Sequence, residues 1–121
     1  MSKPAHQSGL TEVQRLHLEL IRHASWNEFI GARVVDDLLA HRHLWDAVML
    51  EQCGLAALFD VAEGEWTSDT LYVLPSGTTV DAAEQLEQLA KQWKPDEMDW
   101  VHPDQDVGRR RARRVLMLWW D

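Results

Sequence analysis

The sequence predicts an α+β protein. A helical N-terminal half of three helices packs with a C-terminal β-α-β-β unit, whose strands form a small three-stranded mixed sheet in the order 1-3-2. Three observations carry that expectation. Apolar residues recur at helical spacing between residues 12 and 50. A compact β-favouring run, "TLYVL" at 70–74, precedes an amphipathic helix pattern over 80–93. Two further apolar segments, one alternating and one continuous, close the chain. With 121 residues, 45% hydrophobic and 26% charged, the composition is that of one globular domain. Within it the reading separates a flexible tail (1–10), a helical half (11–53) and the β-α-β-β half (68–121).

Thr11 is placed to cap a first helix over 12–25, and Gln14, three positions on, completes a capping box. Val13, Leu16, Leu20 and Ala24, with Ile21 beside them, make its apolar stripe. Asn27 caps a second helix, which turns Ile30, Val34 and Leu38 inward and Arg33, Asp36 and Asp37 outward before ending near "AHRH". A third helix carries Leu44, Trp45, Val48 and Leu50 and stops before Gly54. For Leu55 to Val61 the run is too short for periodicity to separate helix from strand.

In the second half "PSG" punctuates the first strand, and Thr78 is placed to cap the following helix. Ala82, Ala83, Leu86, Leu89, Ala90 and Trp93 share that helix's apolar face, Glu87 and Lys91 form a favourable pair, and Pro95 marks the end. Residues 97–102 alternate, with Met98 and Trp100 on one face, as a half-buried strand does. Val115 to Trp120 is apolar on both faces, as expected for a strand covered from two sides or flanked by neighbours, and as the most apolar of the three it is placed in the middle of the sheet. The helical crossover makes the first two strands parallel, and the last returns antiparallel.

That last strand follows the most unusual stretch, "GRRRARR". The net charge is -8 and the sequence pI about 5.1, so a general affinity for nucleic-acid backbones or anionic membranes is not expected. Five acids upstream (Asp96, Glu97, Asp99, Asp104, Asp106) balance Arg109, Arg110, Arg111, Arg113 and Arg114. A tight reversal at Val107 and Gly108 sets Asp106 opposite Arg109, Asp104 opposite Arg111 and Trp100 opposite Val115. Each opposite-charge pair across strands contributes about 0.2–1 kcal/mol. A structural hairpin therefore accounts for the arginines better than a nucleic-acid arm does.

No motif for nucleophilic catalysis is present: there is no G-x-S-x-G elbow, and Cys53 stands alone in an apolar setting. A single cysteine, no apolar run near ~20 residues and no signal-peptide pattern lead to the expectation of a cytoplasmic protein without a membrane partner. No cofactor is expected. The preferred function is that of a small acidic, non-enzymatic protein-interaction or regulatory domain, its partner another protein or a second copy of itself. Seven tryptophans supply aromatic anchors, Trp26, Trp45 and Trp66 being the candidates, with Arg109, Arg110 and Arg111 as charged contacts.

The alternative is a small enzyme or a metal- or ligand-binding protein. Glu19 with His23 and Asp37 with His41 are each spaced to share a helix face, and His17 falls within the first helix's apolar stripe, where it needs a hydrogen-bond partner. A third candidate is an anion site at Ser76, Gly77, Thr78 and Thr79, in the turn from strand to helix.

Overall fold

Residues 9–26, 28–51, 55, 57–66, 68–102 and 113–121 are described by the computed structural model. Helix α1 (Glu12–His23) begins where Thr11 Oγ1 accepts the Gln14 N–H at 3.0 Å, as its capping pattern requires. It buries Leu18 and Ile21, whereas Val13 and Leu16 lie exposed, so the expected stripe is rotated. A two-residue hairpin, β1 (Ser25–Trp26) with β2 (Phe29–Ile30), leads into α2 (Gly31–Ala40). The Asn27 cap lies outside the described residues. Ile30 occupies the N-cap position without a side-chain bond and is exposed, while Val34, Val35 and Leu38 are buried. Gly31 donates its N–H to the Ala24 carbonyl, and a Cβ there would stand 1.8 Å from the Ile21 carbonyl oxygen. Glycine is what lets α2 start directly against the end of α1.

The third predicted helix is instead a strand, β3 (Trp45–Leu50), preceded by a 3-10 turn at Arg42–Leu44. The cause is a bulge between Trp45 and Ala47. It puts Trp45 and Val48, three apart, on the same buried side, which mimics helical spacing; beyond it burial alternates, with Val48 and Leu50 inward and Met49 outward. The undecided stretch forms a short helix, α3 (Ala57–Ala62). Then follow β4 (Thr70–Pro75), α4 (Ala82–Lys91), β5 (Glu97–Val101) and β6 (Val115–Trp119).

These strands make a four-stranded sheet in the order β3-β4-β6-β5, with every adjacent pair antiparallel. The expected three strands keep their relative order, with β4 and β5 each antiparallel to the β6 between them. The sheet is four-stranded and antiparallel in its pairing, not three-stranded and mixed, because β3 joins the outer edge of β4. Trp100 faces Leu116, one position from the expected Val115. A one-residue slip would exchange the two faces of the strand, and this register keeps Trp100 in the row of buried side chains.

One face of the sheet carries two rows read straight across the strands: Leu50, Leu71, Leu118 and Met98, then Val48, Val73, Leu116 and Trp100. The helices bury this face in a single apolar core, the two-layer arrangement of an α+β fold. Three indoles lock the layers together. Trp45 donates to the Leu38 carbonyl at 2.7 Å, Trp93 to Asp37 Oδ2 at 2.8 Å and Trp120 to the Trp93 carbonyl at 2.9 Å. Trp120 also meets Phe29 edge-on, ring centres 4.7 Å apart. No helix among the described residues is long and apolar enough to cross a membrane.

Candidate functional site

Among the described residues no helical layer covers the second face of the sheet. By strand alternation it bears Met49, Tyr72 and Met117 in one cross-strand row, with Ala47, Leu74, Val115 and Val101 on one side of that row. On the other side lies Trp119, opposite Thr70 and Glu97. Met49 is exposed and Tyr72, Leu74, Val115 and Met117 are half-buried, so this is a continuous apolar surface open to water. One end and one edge of it are acidic. Asp99 ends the Tyr72–Met117 row, Glu97 ends the Trp119 row, and Glu51 and Asp69 hold the opposite side.

Two of these acids fix aromatic groups on the face. Tyr72 donates its hydroxyl proton to Glu51 Oε1 at 3.2 Å, and Trp119 donates its indole N–H to Asp69 Oδ2 at 3.0 Å. Burial first, and then the Glu51 carboxylate, push the Tyr72 hydroxyl above its ordinary pKa. Both effects oppose a second negative charge on this surface.

Where α1 passes the sheet, a groove of about 300 Å³ opens between Val13 and His17 on the helix and Ala47, Met49, Tyr72 and Leu74 on the strands. It sits at the lower end of the size of small-ligand pockets. Gln14 sets its edge. The side-chain amide accepts the Val48 N–H at 2.9 Å and donates to the Val48 carbonyl at 2.8 Å, pairing with the outer strand as another strand would. The second half of the predicted capping box is thus spent on the sheet. His17 is half-buried in the groove wall, and its Nδ1 is buried without a hydrogen-bond partner among the described residues.

The remaining sequence candidates scatter. Trp45 is in the core, 1% exposed; Trp66 is half-buried against that core, with its indole N–H unpartnered. Arg109, Arg110 and Arg111, with their facing acids Asp104 and Asp106, lie outside the described residues, as does the Trp26 side chain. Arg113 binds Asp46 at 2.8 Å and the Pro75 carbonyl, while Arg114 stacks over Trp100 at 4.6 Å. His23 is exposed, Asp37 is held by Trp93, and His41 stands 6.3 Å from His43. Glu19 is exposed. Among the described residues no three His, Cys, Asp or Glu side chains are grouped to hold a metal ion.

At the strand-to-helix turn, Ser76 Oγ accepts the N–H groups of Thr78 and Thr79, and Asp46 Oδ2 accepts that of Gly77. The turn's backbone donors are thus met by the chain's own oxygens. Thr79 Oγ1 donates to the His43 carbonyl, and Asp81, in a left-handed conformation, takes the N-cap position expected for Thr78. Glu87 accepts the Trp100 indole N–H at 3.2 Å in addition to facing Lys91 in sequence.

An open face was not legible in the sequence, which leaves undecided whether the helix over 80–93 lies on the same face of the sheet as the N-terminal helices or on the other. What signal there was lay in β4 and β6, whose alternate residues are apolar on both faces. Comparison with family models, with curated proteins and with solved structures finds no match to this chain.

Proposed function

We propose that this chain is a non-enzymatic protein-interaction domain that receives a partner on the open face of its sheet. The single observation carrying the reading is the apolar row Met49, Tyr72 and Met117, which no described helix covers, in a sheet whose other face holds the core. Apolar patches of this kind, rimmed by polar residues, mark interaction sites.

The electrostatics favour a basic partner. From His43 to Ala90, the stretch that supplies β3 and β4, the sequence carries nine acids and no Lys or Arg. Opposite charge speeds encounter and excludes wrong partners. Two copies meeting through this face would oppose Glu51, Glu97 and Asp99 to their own kind, which argues for a different protein over self-association. Arg113 and Arg114 are already engaged with Asp46 and Trp100, which weighs against a phosphate-binding role for that end of the arginine run.

A second reading, a small-ligand site in the groove, draws on the buried Nδ1 of His17, which has no hydrogen-bond partner among the described residues. The two separate by photo-crosslinking in cells. A crosslinking side chain in place of Met117 is expected to capture a discrete protein, while one in place of exposed Gln88 on α4 is not. Capture that is equal at both positions, or absent at both, removes the interaction reading.

A further inference from the structure

Helix α3 has its apolar stripe on the outside. The Leu58 N–H donates to the Leu55 carbonyl at 3.0 Å, a turn just ahead of the helix. By number Leu55, Leu58, Phe59 and Ala62 fall at i, i+3, i+4 and i+7, the spacing of one helix face, with the last three inside the helix itself. Leu55 is 84% exposed, Leu58 63% and Phe59 78%, and Ala62 and, off this spacing, Val61 are exposed as well. Ala57 is the residue that the helix buries. A surface helix ordinarily turns such a stripe toward the core; this one presents it to water.

The charged residues beside the stripe in the chain are acidic. Asp60 lies within the helix, and Glu63 and Glu65 follow it, all in the segment that contains no Lys or Arg. We infer that α3 is a docking helix, whose Leu55, Leu58 and Phe59 insert into a cleft on a partner protein with an apolar floor and a Lys/Arg rim. This is recognition of a helix in a groove, read through anchors at i, i+3 and i+4. The inference does not depend on the open sheet face.

The test uses the whole chain, labelled with nitrogen-15, and two synthetic amphipathic peptides of about 15 residues, the length at which isolated helices become marginally stable. Both have a leucine stripe, flanked by lysines in one and by glutamates in the other. The lysine peptide is expected to shift the amide signals of residues 55–66 saturably, and the glutamate peptide to leave them in place. In the double variant Leu58→Ser with Phe59→Ser, affinity for the lysine peptide falls about tenfold, as loss of two apolar anchors implies. Should that variant fail to fold, Leu55→Ser alone, at the most exposed of the anchors, serves in its place.

Equal binding of both peptides overturns the inference, as does undiminished binding by the variant. Dimerisation of the wild type that the variant abolishes, read by sedimentation, also overturns it, because the occupant would then be a second copy. Lysine-peptide shifts confined to residues 47–49, 72–74 and 115–117 overturn it too, while supporting the open-face reading, so the two ideas fail separately.

Discussion

Tyr72 is the only tyrosine in the chain, and it sits at the centre of the open face with its hydroxyl on Glu51. Its pKa is raised by burial and by the neighbouring carboxylate, from an ordinary value of about 10. Between that value and the higher folded one, the native state keeps a proton that the unfolded chain has released. The contribution to stability is therefore fully present below pH ~10 and is lost as pH rises through the native pKa. Tyrosinate absorbance followed during alkaline titration should give a higher midpoint for the folded protein than for the protein in urea. Glu51→Gln should bring the native midpoint part of the way down, leaving the effect of burial. Coincident midpoints in the two states would remove the claim. At this scale the sequence located one cap of three: Thr11 was legible because its hydroxyl acts on a neighbour three residues away, whereas Ile30 and Asp81 hold the N-cap positions expected for Asn27 and Thr78. The contacts of Tyr72, Trp93 and Trp119 join residues 21, 56 and 50 positions apart.

Among the elements, the pairing of Gln14 with Val48 has the clearest consequence. An edge strand offers unpaired N–H and C=O groups to other chains, and here α1 covers one such pair with a side-chain amide. Gln14→Ala is expected to cost about 1–3 kcal/mol, the usual range when partly buried donors and acceptors lose their partner. The Val48 amide should exchange with solvent faster in the same variant. Gln14→Glu keeps an acceptor for the Val48 N–H and loses the donor to its carbonyl, so it should fall between the two. Unchanged exchange at Val48 in Gln14→Ala would show that the contact does not protect the edge. At the other edge, Asp99 Oδ1 accepts the Trp100 N–H at 2.8 Å, a local block of the same kind. The elements themselves were legible to different degrees. α4 is a long amphipathic helix whose pattern is its own evidence, whereas β3 was misread because a bulge of one residue shifted a strand's period toward a helix's.

For the molecule as a whole, Trp120 links three parts that are remote in sequence. Its ring meets Phe29 before α2, its indole N–H bonds the Trp93 carbonyl beyond α4, and its backbone N–H bonds the Asp69 carbonyl before β4. Trp120→Phe would remove the donor and leave a cavity beneath the helices. The expected loss is about 2–4 kcal/mol by the combined costs of an unpaired buried carbonyl and lost volume. Urea unfolding followed by fluorescence should show one cooperative transition at lower denaturant. A loss below about 0.5 kcal/mol, the size typical of a surface substitution, would place Trp120 outside the core. The same linkage explains why the covered face is so well filled, with Leu71, Val73, Leu116 and Leu118 all sealed from water, while the opposite face keeps methionines, a tyrosine and acids at one end and one edge.

Residue order alone determined the α+β class, the positions of α1, α2, α4, β4, β5 and β6, and the relative order of the last three strands. These follow from periodicity and local turn chemistry, which act over a few residues. Tertiary structure decided the fourth strand, the face that α1 buries, the partner of Gln14 and the side of the sheet left open. Each of those depends on which distant surface a residue meets, and an apolar side chain carries the same signal whether it is headed for the core or for a partner.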